Sequence, residues 1–332
     1  MLALALGTGC GGGSGNSTST PVAELRIALD WVPNTNHAGI YVAKARGLFE
    51  REGVRLRILP YSGANPEVLV AEGKADLGVS FAPSVAVTRA AGIPIKAVAA
   101  VIPENQEAIA VLASSRVRRP AELSGKTTYL GFGLPSESPV MTAVIQADGG
   151  APAFRTAVLQ TAAYEALYQG KGDFSQVFQA WEPIEARLRK TPIKLRLFPV
   201  RDYLGPGSNW PSVVLVASDD GIAGRPDVLR RGLRALTAGY TYASTHPDET
   251  ATILGTVNRA LARQPRLVSE SMRFLAPTLV RPGASWGRMD RQQFVGITNI
   301  LARAGALKDG DRKSLQSLDP ASLFTNSLLP TE

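Results

Sequence analysis

The segment Asp30-Trp31-Val32-Pro33-Asn34-Thr35-Asn36-His37 gathers a carboxylate, an indole, two amides and an imidazole within eight residues. Asn34, Asn36 and His37 offer hydrogen-bond donors and acceptors, and Trp31 offers a flat apolar face. Three further stretches carry similar material: Phe81-Ala82-Pro83-Ser84, Gly131-Phe132-Gly133-Leu134-Pro135-Ser136-Glu137-Ser138 and Ala180-Trp181-Glu182-Pro183. Glycines in the third allow close backbone approach, and a helix starting there presents free N–H groups. It is not a phosphate loop, because the Gly-Lys-Ser/Thr ending is missing. Together the four stretches supply Trp31, Phe81, Phe132 and Trp181 as stacking faces and Glu182 as a fixed acceptor. A planar, nitrogen-rich ring calls for that combination. Bland alternatives stand beside it. Each aromatic could be core, Asp30 could cap the turn or the following helix, and His37 could be a satisfied structural histidine.

Catalysis and metal binding find little support. Cys10 is the single cysteine, and His37 and His246 are the only histidines. That excludes a disulfide framework and argues against a Cys/His zinc site or a Cys–His nucleophilic pair. No catalytic residue, metal or cofactor is therefore expected. The formal net charge is +8, but Lys and Arg are scattered among Asp and Glu. Arg116-Val117-Arg118-Arg119 and Arg230-Arg231 read as solvated faces, and with no recognition motif nucleic-acid binding is not expected.

The elements that position these loops follow from periodicity. Glu24–Asp30 alternates apolar and polar residues, as a strand does, and a helical pattern runs from Ala38 through Phe49 until Gly53 stops it. Val54–Leu59, Ala75–Ser80, Ile95–Val101, Ala108–Ala113, Thr127–Leu130 and Val177–Ala180 read as further strands. Helices are expected over Glu67–Glu72, from a cap at Ser84 to Gly92, from near Ser136, and over Ala163–Gln169. Strands alternating with helices of about ten residues predict parallel α/β architecture, and 332 residues suit about two domains. Val70-Ala71-Glu72-Gly73-Lys74-Ala75-Asp76-Leu77 is echoed by Leu167-Tyr168-Gln169-Gly170-Lys171-Gly172-Asp173-Phe174. The echo reads as two related lobes, each placing a loop at a shared crevice.

At the N-terminus, apolar Met1 to Leu6 leads to Gly7-Thr8-Gly9-Cys10 and a Gly/Ser/Thr tether. The pattern resembles a bacterial lipoprotein signal with Cys10 as the lipid anchor, although no Lys or Arg precedes the apolar run and Gly7 stands where Leu is usual. Beyond it no apolar run approaches the ~20 residues of a membrane span.

LDWVPNTNHAGIYVAKARGLFEREGV, AEGKADLGVSF, AAGIPIKAVAAV, GFGLPSES, QAWEPIEA and GRPDVLRRGLRALTAGYTYASTHPDET resemble the periplasmic-type substrate-binding proteins for thiamine pyrimidine precursors. The resemblance covers roughly residues 25–249, and DWxPNxNH is its specific part. It implies a type II periplasmic-binding fold: two α/β lobes joined by two crossover strands, with the ligand cleft between them. By that analogy residues 24–113 plus 217–332 form lobe 1, 114–216 form lobe 2, and 1–23 are signal and tether. Positions lining the pyrimidine site in that family correspond to Asp30, Trp31, Asn34, His37, Ser136, Glu137, Trp181 and Glu182, and Tyr203 and Trp210 are expected to reach the cleft. The resemblance further implies an extracytoplasmic, lipid-anchored monomer that hands its ligand to an ABC permease and its ATPase. One departure is Ile102-Pro103-Glu104-Asn105-Gln106, where relatives carry a short His-Pro type segment. Relatives of the same build carry riboflavin, so a pyrimidine precursor and riboflavin both stand as ligands. Two alternatives remain: a sulfonate- or nitrate-type anion, though no arginine lies in the four loops, and an enzyme like the fungal pyrimidine synthase, which uses pyridoxal phosphate.

Overall fold

A computed structural model describes residues 22–331 apart from Lys126, so Cys10 and the predicted tether lie outside the described residues. Ten strands are described: β1 (Ala23–Ala28), β2 (Val54–Leu59), β3 (Leu77–Ser80), β4 (Ile95–Ile102), β5 (Glu107–Leu112), β6 (Thr128–Gly131), β7 (Arg155–Val158), β8 (Phe174–Phe178), β9 (Leu195–Pro199) and β10 (Val213–Ser218). They form two five-stranded sheets, ordered β2-β1-β3-β10-β4 and β7-β6-β8-β5-β9. Strands β1, β2 and β3 pair in parallel, whereas β10 runs antiparallel between β3 and β4. The second sheet repeats the plan, with β5 antiparallel between β8 and β9. Each lobe thus takes one strand from chain that has just crossed over, which is the two-lobed periplasmic-binding fold that the sequence resemblance implies.

The continuous apolar run Val213-Val214-Leu215-Val216-Ala217 shows why a sheet with helices on both faces is the outcome. Val213, Leu215 and Ala217 pack into one core layer and Val214 and Val216 into another, all fully buried. A strand apolar on both faces must be covered on both.

The expected lobe boundaries need correction. By sheet membership β5 belongs to the second lobe and β10 to the first, so the chain changes lobes at 103–106 and 205–212, not near 113 and 216. β4, β5 and β10 are equally apolar, and nothing in their alternation tells which sheet receives them. The two crossings lie side by side. Asn105 Nδ2 donates to the Ser208 carbonyl (2.8 Å), Gln106 N–H donates to Ser212 Oγ (2.6 Å), and Ser212 Oγ donates to the Glu104 carbonyl (2.8 Å). The Ile102–Gln106 departure from the family pattern therefore falls at the hinge, away from the loops that carry aromatics.

The internal echo also lands elsewhere than expected. Asp76 N–H donates to the Arg26 carbonyl (2.9 Å) while its carboxylate accepts from Arg26 N–H (2.7 Å). Asp173 makes the same exchange with Thr128, at 2.9 and 2.6 Å. Asp76, just ahead of β3, clamps that strand to β1 at Arg26, and Asp173, just ahead of β8, clamps that strand to the start of β6 at Thr128. The repeat is a real duplication of lobe structure, but it sits at the strand starts, opposite the edge where loops converge on a crevice. Asp76 additionally holds Arg26 through both carboxylate oxygens (3.0 Å each) and pairs with Arg225.

Two smaller expectations also change. The helix predicted over Ala38–Phe49 breaks into Ala38–Ala45 and Leu48–Arg51, because Gly47 sits at φ +64°, a left-handed turn. The helix predicted from Ser84 starts at Ala82 with Phe81 as its cap, leaving the Ser84 side chain free for another use.

Candidate ligand-binding site

Loops at the carboxyl ends of the strands of both sheets converge on one cleft between the lobes, as in other open α/β sheets. Asn34 shapes the first of them. Its side-chain oxygen accepts from Asn36 N–H (2.9 Å) and caps the short 3₁₀ turn Thr35–His37. His37 closes the turn from below, fully buried, with Nδ1 accepting the Asn34 N–H (3.2 Å). That acceptor role leaves the proton on Nε2, which donates to Asp30 Oδ1 at 2.8 Å. His37 is therefore a neutral positioning residue beneath the cavity. The expectation that it lines the site is corrected, since its last free valence is spent on Asp30.

Asp30, Trp31, Asn34, Phe81, Phe132, Trp181 and Glu182 all line one cavity of about 90 Å³. Trp31 lies 5.4 Å from Phe132, edge to face, and 5.2 Å from Tyr61. Phe81 stacks on Phe178 at 5.5 Å. The Trp31–Phe132 and Phe81–Phe178 pairs each join one lobe to the other. So do the Ser84 and Ser136 hydroxyls, 2.7 Å apart, and the Arg187–Glu270 ion pair. The lobes are closed on the cavity.

Four more expected site residues sit outside the lining. Ser136 is occupied by Ser84 across the cleft. Glu137 turns inward: one oxygen accepts from Phe132 N–H (2.9 Å) and Gly133 N–H (3.2 Å), so it holds the Gly-rich loop from behind. A Cβ on Gly131 would stand 2.9 Å from that same oxygen, which is why the loop needs glycine there. Tyr203 packs edge-on against Phe198 at 6.4 Å. Trp210, 1% exposed, donates from Nε1 to Glu107 Oε1 (3.3 Å) at the hinge. The Gly/Pro-rich return on which Tyr203 and Trp210 lie runs along the crossing and does not turn into the cleft.

Tyr61, Asn65, Tyr164, Phe178 and Asn36 also line the cavity. Tyr61 and Asn65 follow strand β2 in a Ser-Gly-Ala-Asn turn, the same signal that marks the other four loops. Tyr164 opens the helix Ala163–Tyr168, and Phe178 ends β8. Neither carries a local cue.

Electrostatically the lining holds two carboxyl groups, Asp30 and Glu182, and among the described residues no Lys, Arg or His. Burial pushes the Glu182 carboxyl up to about 8, against the opposing pull of the Phe178 N–H that it accepts at 2.8 Å. At neutral pH it is therefore mostly protonated, able to donate one hydrogen bond and to accept another. Asp30 faces it from the first lobe, its Oδ1 bonded to His37 Nε2 and its second carboxyl oxygen left for a ligand. A ring with an amino group and an adjacent ring nitrogen matches an acceptor on one side and a donor–acceptor on the other.

A buried pair behind the site adds to the pH response that Glu182 begins. Burial lifts both Glu107 and Glu137 to about 7; the Trp210 N–H opposes the shift at Glu107, and the Phe132 and Gly133 N–H groups oppose it at Glu137. In the unfolded chain both titrate near 4.5. Between those values the folded state keeps protons that the unfolded state releases, so stability falls as pH rises from about 5 to above 7. Glu107→Gln is expected to lessen that fall by roughly 2–3 kcal/mol, measured as denaturant midpoints at pH 5 and 8.5. The amide keeps the Trp210 bond. Gln176, whose Oε1 has no partner among the described residues, can turn to accept from it. Equal slopes for variant and wild type would contradict the assignment.

The chain is similar to several known proteins. The chain is 26% identical over 287 residues to a formylaminopyrimidine-binding protein of Halalkalibacterium halodurans, covering 83% of this chain and 84% of that one. It is 25% identical over 322 residues to the riboflavin-binding protein RibY of Chloroflexus aurantiacus, covering 92% and 86%. Among solved structures, the alkanesulfonate-binding protein SsuA of Xanthomonas axonopodis pv. citri, bound to MOPS, superposes with a TM-score of 0.68 at 17% identity, covering 92% of this chain and 100% of that one. That likeness establishes the fold. The model of the NMT1/THI5-like family matches residues 34–250, a span that runs from the Asn34 turn through both lobes and both crossings, and the chain belongs to that family.

Proposed function

We propose that this protein is the extracytoplasmic substrate-binding component of an ABC importer, held at the membrane through Cys10, and that it captures a single-ring amino-substituted pyrimidine. What carries the reading is the cavity. Its walls are mostly apolar and aromatic, and among the described residues Asp30 and Glu182 are the carboxyl groups in the lining, which suits a planar nitrogen-bearing ring. Aromatic faces from both lobes supply the stacking surfaces, and Asp30 with protonated Glu182 supplies complementary hydrogen bonds. Likeness to a formylaminopyrimidine-binding protein supports the pyrimidine, and likeness to a riboflavin-binding protein makes the flavin its chief rival.

The competing readings lack partners in the lining. A sulfonate or nitrate calls for a cation, and a Schiff base with pyridoxal phosphate calls for a lysine. Neither residue type lines the cavity among the described residues. Among the described residues no helix is long and apolar enough to cross a membrane, and delivery to the permease fits a tethered binding protein.

The test is thermal unfolding with a ligand panel. A 4-aminopyrimidine at about 100 times its Kd is expected to stabilise the protein by ~2.7 kcal/mol, while riboflavin, an alkanesulfonate and nitrate leave it unchanged. A shift with riboflavin or an anion and none with the pyrimidine would overturn the proposal.

A further inference from the structure

We infer that the cavity is the inner half of a two-chamber site, and that the outer chamber receives a positively charged or N–H-rich arm carried by the ring. The inference rests on the single-ring reading above. A second cavity, of about 370 Å³, shares Trp31, Tyr164, Trp181 and Glu182 with the first. These four residues line both chambers, so the two adjoin, and an arm on the inner ring reaches the outer chamber where it passes between them. Its walls come from both lobes, with Pro33 and Leu261 on one side and the helices Ala163–Tyr168 and Glu182–Leu188 on the other. Closure of the lobes therefore shapes both chambers together.

The chemistry of the outer walls selects the arm. Arg189 is committed: it pairs with Glu165 at 2.9 Å and lies over the Tyr168 ring at 5.1 Å. Tyr168 is fixed by its hydroxyl, which donates to the Glu182 carbonyl at 3.2 Å. Glu185 is different. It is half-buried, lines the outer chamber, and its carboxyl makes no hydrogen bond or ion pair among the described residues. Burial holds the Glu185 carboxyl above the usual carboxylate range while the Arg189 charge pulls it back, so it is the acidic group left to meet a cationic arm, and the indole of Trp181 offers a π-face beside it. A phosphate or carboxylate arm would meet Glu185 without a free cation to answer it.

Three ligands built on one 4-aminopyrimidine head decide the matter, bearing arms of equal length that end in a hydroxyl, an ammonium or a phosphate. Isothermal titration on wild type is expected to show the ammonium arm binding about tenfold tighter than the hydroxyl arm and the phosphate arm weakest. Glu185→Gln is expected to shrink the ammonium-to-hydroxyl ratio to about twofold or less. Equal affinities for ammonium and hydroxyl arms, or tightest binding of the phosphate arm, would overturn the outer-chamber assignment while leaving the ring reading intact. Failure of all three to bind would overturn the ring reading and this inference with it.

Discussion

Gly39→Ala is expected to destabilise the protein by about 3 kcal/mol, at the upper end of ordinary overpacking, and to blunt ligand binding although Gly39 touches no ligand. A Cβ at this position would lie 2.2 Å from two ring atoms of Tyr240 and 2.6 Å from a third. The ring has nowhere to go. It is fully buried and stacks at 4.5 Å and 6° on Trp286, itself 1% exposed and tied by Nε1 to the Val101 carbonyl. The helices Ala38–Ala45 and Pro226–Thr245 cross at this point with backbone nearly touching, since a Cβ on Gly239 would stand 2.3 Å from the Gly39 carbonyl oxygen. Either the helices separate or Tyr240 is displaced. Displacement removes the hydrogen bond from the Tyr240 hydroxyl to the Asn36 carbonyl (2.8 Å), which anchors the Asn34–His37 turn. A Gly-to-Ala change in an open helix would instead stabilise by up to about 1 kcal/mol. Urea denaturation separates these outcomes, and a loss below about 1 kcal/mol would contradict the packing account.

Asp30→Asn should cost about 100-fold in affinity for the pyrimidine while changing the stability of the free protein by less than about 1 kcal/mol. The variant's amide oxygen can keep the bond from His37 Nε2, now 2.8 Å to Asp30 Oδ1. Its NH₂ then faces the cavity in place of an acceptor, and an amino group on the ring meets donor with donor. The neutral His37 tautomer cannot correct this, because Nδ1 is held by the Asn34 N–H. Titration calorimetry on wild type and variant measures the effect, and affinities within threefold would remove Asp30 from the recognition set.

Much of this site is legible in the sequence because strand-end loops announce themselves. Alternation and apolar runs locate β1 to β4, and polar-aromatic turns after strands identify Asp30, Trp31, Phe81, Phe132, Trp181 and Glu182 before any fold is known. The same rule covers Tyr61 and Asn65, whose turn follows an expected strand. Tyr164 and Phe178 were beyond it, since an aromatic in a helix or at a strand end looks like core until the lobes are docked. His37 and Glu137 show the opposite failure. Both are polar residues in the right loops, yet each faces back into its own loop to satisfy backbone N–H groups. Periodicity gives a residue's neighbourhood; the direction of a side chain depends on which buried donors need a partner. The lobe assignment of β5 and β10 failed for a related reason, because a fully buried strand looks the same whichever sheet receives it.

The central claim is that the closed cleft holds one nitrogen heterocycle between Trp31 and Trp181, with Asp30 and Glu182 reading its edge. Its most direct test is an equilibrium titration of the purified protein followed by tryptophan fluorescence, with a 4-aminopyrimidine in one series and riboflavin in the other. Saturable one-to-one binding of the pyrimidine, with no response to riboflavin, is the predicted result. Saturation by riboflavin with quenching of the flavin emission, and no response to the pyrimidine, would contradict it.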